Sequence, residues 1–343
     1  MTMTNADSPA VLVDAYSQIF RAFYAIARLS RRDGFPTNAL LGMGRLLFQL
    51  EKLCQPRRGA FFFDCGKPAF RLELAPDYKS NRPPMPEELR RQMPVVRDMI
   101  EAFGWQSHQC ENYEADDLIG AAVAAVPQSR FRIVSSDKDL AQLIDERTVM
   151  LIPSRTGGGW EVRGVPETEA RFGVLPGQMV DYLALLGDSA DVIPGVPGIG
   201  AKTAAAILAK AGSLDAFFAD PGKVGKASWK QKLLDAEELL KRNRKLIRLR
   251  CEWPENLPAP EMVLGKAAPD FARLAAIFRE YELRSLLKEL PVAHDEPPAP
   301  AAAAKAAKAA SAEDLFSWSA ASDKAAPEPD GADGDVFAGW PRN

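Results

Sequence analysis

Nine carboxylates stand in a repeated relation to the chain around them. Asp14 closes the apolar run Val11-Leu-Val, Asp64 closes Ala60-Phe-Phe-Phe, and Asp137 closes Phe131-Arg-Ile-Val-Ser-Ser, with Asp139 two residues on. Glu114, Asp116 and Asp117 head the helix-like stretch 113–120, and Asp188 and Asp191 follow the apolar run 179–186. Acids in a first helical turn complement the helix dipole and cap free N–H groups, so the trio at 114–117 has a plain explanation of its own. Acids after three successive strands have none. Gathered without cations they would repel one another, and an all-oxygen, histidine-free set suits Mg²⁺ or Mn²⁺ better than zinc. Two such ions about 3.5–4 Å apart serve phosphodiester hydrolysis, activating water and steadying the developing charge. Inner acids would bind the ions directly, and outer ones would hold ordered waters.

The elements that must position these acids can be read from the apolar pattern. Strands are expected at 11–14, 60–64, 131–137 and 148–152, with helices at 17–29, from Thr37 as cap through Cys54, from 86 to about 103 with a kink at Pro94, and at 138–144. Strand, helix and acid alternate, which is the pattern of an α/β, doubly wound, mostly parallel sheet with its site at the carboxyl ends of the strands. From Pro166 the pattern turns helical: 179–186, 201–211, 213–218, 229–243, 270–281 and 285–290. Beyond Val292 an Ala/Pro/Lys/Asp composition cannot pack a core and is expected to be disordered.

Composition narrows the chemistry. Only His108 and His294 are present, so histidine triads and histidine metal clusters are nearly excluded. Cys54, Cys65, Cys110 and Cys251 form no CxxC pair and read as small buried hydrophobes in a reducing cytosol. The first ten residues lack the apolar run of a signal peptide, and no stretch approaches the roughly 18 apolar residues of a membrane span. A cytoplasmic protein is expected. The net charge of −3 is uneven. Residues 294–343 hold nine acids and four bases, leaving a body of 39 Lys/Arg against 37 Asp/Glu. With nine of those acids in one site, the remaining surface is basic, which suits a polyanion.

Two further segments bear on that polyanion. Gly195-Val-Pro-Gly-Ile-Gly200 followed by Ala201-Lys202-Thr203 is not a phosphate loop, because Ala201 separates Gly200 from Lys202 and a helix precedes it. It reads as a helix–hairpin–helix turn: Gly195, Gly198 and Gly200 let backbone approach a duplex phosphate, and the next helix offers its N–H groups. The polar stretch 71–86 is expected to be an ordered but mobile connection. Between Arg71 and Arg91, the side chains of Arg71, Lys79, Arg82, Arg90 and Arg91 would hold phosphates, with Tyr78 stacking on an unpaired base. Arg21, on the helix after Asp14, would face the metal cleft.

These segments together resemble the 5′ nuclease domain of bacterial DNA polymerase I, within the wider flap-endonuclease family. The matching runs are 12–22, 63–67, 78–86, 114–120, 136–143 and 185–204, in order and in register from about residue 10 to 290. The resemblance implies a PIN-like nuclease domain over 1–165 with a helical arch at about 71–95. It also implies a helical DNA-binding subdomain over 166–292, with a helix–three-turn–helix at about 185–211 that can hold K⁺. All nine acids would surround two Mg²⁺ or Mn²⁺ ions, with Arg21, Lys79 and Arg82 contacting the scissile phosphate or the threaded strand. The implied activity is 5′-3′ exonuclease and 5′-flap endonuclease cleavage of DNA in primer removal and repair, by a monomer in the bacterial nucleoid. Two residues depart from the family pattern: Ala15 replaces a usual glycine, and Val192 replaces a usual Asn. No polymerase follows. The resemblance is therefore to a free-standing nuclease, or to one working with a separate DNA polymerase or a sliding clamp through the tail, where Ala312-Glu-Asp-Leu-Phe316 is faintly clamp-motif-like. The rival readings are a PIN-type RNase and a non-catalytic DNA-structure binder.

Overall fold

The computed structural model describes residues 8–154 and 159–291; the expected tail at 293–343 lies outside the described residues. Its central sheet has the order β3-β2-β1-β4-β5-β6. The strands are β1 (Ala10–Asp14), β2 (Gly59–Phe62), β3 (Gln106–His108), β4 (Phe131–Val134), β5 (Thr148–Pro153) and β6 (Trp160–Arg163). All neighbours run parallel except β5 and β6, which pair antiparallel. β1 is central, pairing with β2 on one side and β4 on the other, so strand order reverses there and opens a crevice at its carboxyl end. Asp14 is its last residue.

Side chains alternate across the strands, and each face has its own core. Val11, Val13, Phe61 and Phe63 pack with α1 (Ala15–Ala25), α2 (Asn38–Cys54) and, beyond the short α3 (Ala69–Leu74), with α4 (Glu87–Ala102). Leu12, Phe62, Phe131 and Ile133 pack with α5 (Ala115–Ala125). The same cluster continues, past α6 (Val165–Phe172), into α7 (Met179–Leu186), α8 (Ala201–Ala211), α9 (Leu214–Ala219), α10 (Ala227–Asp235) and α11 (Glu237–Ile247). Beyond α12 (Pro260–Val263), α13 (Phe271–Glu280) crosses back: Leu274, Ile277 and Phe278 belong to the first face. The end of the expected helical subdomain thus completes the core of the nuclease domain.

The structure differs from sequence expectation where local signals were weak. The edge strands β3 and β6 were not expected; Gln106-Ser-His is short, polar and partly exposed. Residues 138–143 form a 3₁₀ helix, and the long helix expected at 229–243 breaks between α10 and α11. Thr37 occupies the cap position of α2 without capping by its side chain. Gln92, wholly buried on α4, accepts instead from the N–H groups of Ala39 (2.9 Å) and Leu40 (3.2 Å). The larger departure is the segment 71–86. It turns inward at α3, and Arg71, Tyr78 and Lys79 are buried.

Candidate active site

The acids come together at the carboxyl edge of the sheet, with different surroundings. Asp14 is wholly buried and accepts from Ser17 N (3.2 Å) and Ser135 Oγ (2.9 Å). Asp64 accepts from Ala115 N at 2.7 Å, tying the end of β2 to the first turn of α5. Asp137 accepts from Asp139 N at 2.9 Å and so caps the 3₁₀ turn after β4. Asp188 and Asp191 are presented by a small hairpin, β7 (Gly187–Asp188) against β8 (Ile193–Pro194). Asn243 of α11 fastens that hairpin, its Nδ2 donating to Ala184 O (3.1 Å) and Pro194 O (2.7 Å).

Asp139, Asp188 and Asp191 each place a carboxylate oxygen within 4.8 Å of the other two. Burial, then the charges of Asp137 and Asp188, push the Asp139 carboxyl well above the usual carboxylate range. Such crowding of oxygen donors fits a hard divalent cation. Lys138 supplies part of the balance, its Nζ lying 3.2 Å from Asp188 Oδ2. Glu114, Asp116, Asp137, Asp139 and Asp191 line one small cavity with Lys79.

Asp117 is different. Its two oxygens accept from Arg71 Nη1 (2.6 Å) and Nη2 (2.8 Å), from Glu114 N (3.1 Å) and from Arg250 N (3.0 Å). Four donors fill the roughly four lone-pair positions of a carboxylate. These four donors occupy the Asp117 oxygens in this arrangement, and the Glu114 N contact is its capping role.

The basic residues also differ from expectation. Arg71 is 2% exposed, and besides Asp117 it donates to Glu114 Oε2 (3.1 Å) and Leu246 O (3.0 Å). The sequence carries no local signal that it is buried among these partners. Lys79 Nζ sits 2.6 Å from Glu114 Oε1 and 3.8 Å from Asp191 Oδ2, and Arg82 pairs with Asp191. Burial alone would raise the Glu114 carboxyl, but Lys79 and Arg71 hold it below its ordinary value. Tyr78 is 3% exposed, with its hydroxyl donating to Glu114 Oε2 at 3.0 Å, so its ring offers no open face for a base in this conformation. Arg21 Nη2 donates to Ser154 O (3.3 Å) just past β5, and burial lowers its guanidinium to about 10.

The turn after β8 is built for close approach. A Cβ on Gly195 would lie 2.0 Å from Leu186 O, and Gly198 has φ +73° with Lys232 Nζ beside it, itself donating to Pro197 O at 2.9 Å. Gly200 precedes α8 with open space where a Cβ would stand. Lys202 is exposed and Thr203 half-buried on the first turn of α8.

The family model for the 5′-3′ exonuclease N-terminal, resolvase-like domain matches residues 9–171, and that for the 5′-3′ exonuclease C-terminal SAM fold matches residues 174–270. The chain belongs to the 5′-3′ exonuclease family. A 5′-3′ exonuclease of Aquifex aeolicus is 34% identical over 281 residues, covering 81% of this chain and 94% of that protein. DNA polymerase I of Pseudomonas aeruginosa is 35% identical over 294 residues, which span 83% of this chain but 32% of the polymerase. The chain thus spans about a third of the polymerase I relatives it matches. Among solved structures, zinc-bound T5 5′-exonuclease shares the fold with a TM-score of 0.60 and 20% identity, over 82% of this chain and 98% of that one. The catalytic core of Rad2 in complex with DNA substrate has a TM-score of 0.57 at 16% identity, over 83% and 93% of the two chains.

As a 5′-3′ exonuclease family member the chain is a nuclease, a phosphodiester hydrolase. Val192, standing where the family usually has Asn, lies in the turn between Asp188 and Ile193 with φ +61°. That left-handed conformation suits Asn and strains a β-branched side chain.

Proposed function

We propose that the protein is a metal-dependent 5′-3′ exonuclease and 5′-flap endonuclease of DNA, acting in primer removal and repair. The observation that carries this reading is the oxygen cluster Asp139–Asp188–Asp191 facing Glu114, Asp116 and Asp137 across a cavity that Lys79 enters. Asp139, Asp188 and Asp191 would hold one divalent ion, and Asp116 and Asp137 would serve a second, with Asp14, Asp64 and Glu114 supporting them. Bound there, Mg²⁺ or Mn²⁺ would supply an activated water and charge stabilisation.

The chain's own residues do the rest. Lys79 lies against Glu114 and Asp191, and Arg82 against Asp191. From these positions Lys79 and Arg82 would reach phosphate oxygens and stabilise the charge that grows there. Tyr78, freed from Glu114, would offer its ring to an unpaired base. The backbone at Gly198–Gly200 and the first turn of α8, with Lys202 and Thr203, would grip the duplex beside the cut, where K⁺ would supply positive charge toward phosphate. Residues 71–95 would then frame the path of the free 5′ end. Cleavage of a labelled 5′-flap DNA with Mg²⁺, Mn²⁺ or EDTA tests the reading. Products released near the flap junction only with metal support it; equal cleavage in EDTA, or preference for single-stranded RNA, overturns it.

A further inference from the structure

A second groove lies along the seam between α3 and α11, with a volume of about 430 Å³. Leu74 and the α11 residues from Glu238 to the C-cap Arg248 line its wall, with Arg244 paired to Asp181 and Asp215. Glu238, the acid among them, is held by Lys241 at 2.9 Å. Lys245 and Arg248 are exposed, and with Arg242 they have no carboxylate within ion-pair distance among the described residues. The Arg242 Nε is buried without a hydrogen-bond partner. Together these three cations give the wall a positive field that attracts an anion.

The groove and the acid site are built on the same elements. Leu246, Ile247 and Leu249, which alternate with these cations at the end of α11, line the cavity of Glu114, Asp116 and Asp139. From the other side, Leu74 of α3 lines the groove while Arg71 of the same helix reaches Leu246 O and Glu114. Leu74 offers the groove an apolar wall for an unpaired sugar or base.

We infer that the α3–α11 groove binds the single-stranded arm of the substrate, through Arg242, Lys245 and Arg248, as that strand runs to or from the acid site. The inference rests on the nuclease reading but concerns binding, so the two can fail separately. The probe is fluorescent oligothymidylate, read by anisotropy in EDTA so that no cleavage occurs, beside a nicked duplex without a flap. The variants are Lys245→Gln/Arg248→Gln, both at exposed positions, and the triple with Arg242→Gln, each checked by thermal melting.

The double variant is expected to bind oligothymidylate about tenfold more weakly, with the slope of log affinity against log salt shallower by about 1.4, since each single-strand phosphate contact contributes about 0.7. The triple variant should lose about 2 from the slope. Affinity for the nicked duplex should stay unchanged. An unchanged oligothymidylate affinity and slope, or an equal loss on the nicked duplex, overturns the inference. A wild type that binds oligothymidylate through these residues yet cuts no flap in Mg²⁺ overturns the proposed function instead.

Discussion

Arg71 holds Asp117 in a two-pronged ion pair, at 2.6 and 2.8 Å, with both side chains essentially removed from solvent. This pair joins the segment before Tyr78 to the helix that opens with Glu114, and through Leu246 O it also joins α11. It fixes the floor on which the other acids stand.

Breaking that pair leaves a buried, uncompensated charge. Arg71→Ala should destabilise the protein by about 3–5 kcal/mol, and Arg71→Lys should recover only part of it because an ammonium cannot reproduce the fork. Urea unfolding midpoints measure this. A loss below ~1 kcal/mol for the alanine variant would show that Asp117 is held by Glu114 N and Arg250 N alone.

Asp139 gives a pH signature. Its folded-state pKa is raised by burial and by Asp137 and Asp188, so the folded protein holds this proton more tightly than the unfolded chain. Its contribution is therefore most favourable below the unfolded value of about 4 and is lost as pH rises through the folded value. In EDTA, the stability gained by Asp139→Asn over wild type should grow as pH rises from about 4. In Mg²⁺ the wild type should recover and the variant should not. Denaturation midpoints across pH, with and without Mg²⁺, decide it; a gap that is flat or shrinks with pH contradicts the crowding described.

Val192 offers a correction to the chain itself. At φ +61° its β-branched side chain costs on the order of 1–2 kcal/mol, and Asn tolerates that region better. Val192→Asn should raise stability by about 1 kcal/mol and leave Asp188 and Asp191 in place, read as a higher melting temperature with cleavage retained. A lower melting temperature would mean that Val192 packing outweighs the strain.

The glycines of the turn separate structure from binding. Gly195→Ala would drive its Cβ into Leu186 O and should collapse the hairpin, lowering the melting temperature and abolishing cleavage. Gly200→Ala meets no atom within 4 Å and should leave the melting temperature intact while weakening duplex binding several-fold. Equal effects of the two on melting would show that Gly200 is structural.

Much of this site was legible in the sequence, and the reason is local. Asp14, Asp64 and Asp137 follow apolar runs whose period announces strands, so their shared edge follows from a parallel sheet. The glycines at 195–200 announce a turn by their spacing. What could not be read was long-range. Nothing local marks Arg71 or Lys79 as buried; each is inside because carboxylates 35 or more positions away meet it. Nor does anything local mark the four donors of Asp117, which come from three separate segments. Gln92 capping α2 from a neighbouring helix, and α13 returning to the first face of the sheet, are contacts of the same kind.

The most direct test is single-turnover cleavage of a 5′-flap DNA in Mg²⁺ by wild type, Asp116→Asn and Asp137→Asn, with flap affinity measured in parallel. Cleavage by the wild type that vanishes in both variants and in EDTA, while flap affinity stays within a few-fold, is the predicted result. Wild-type rates in either variant would contradict the assignment of these acids to the metal-holding site.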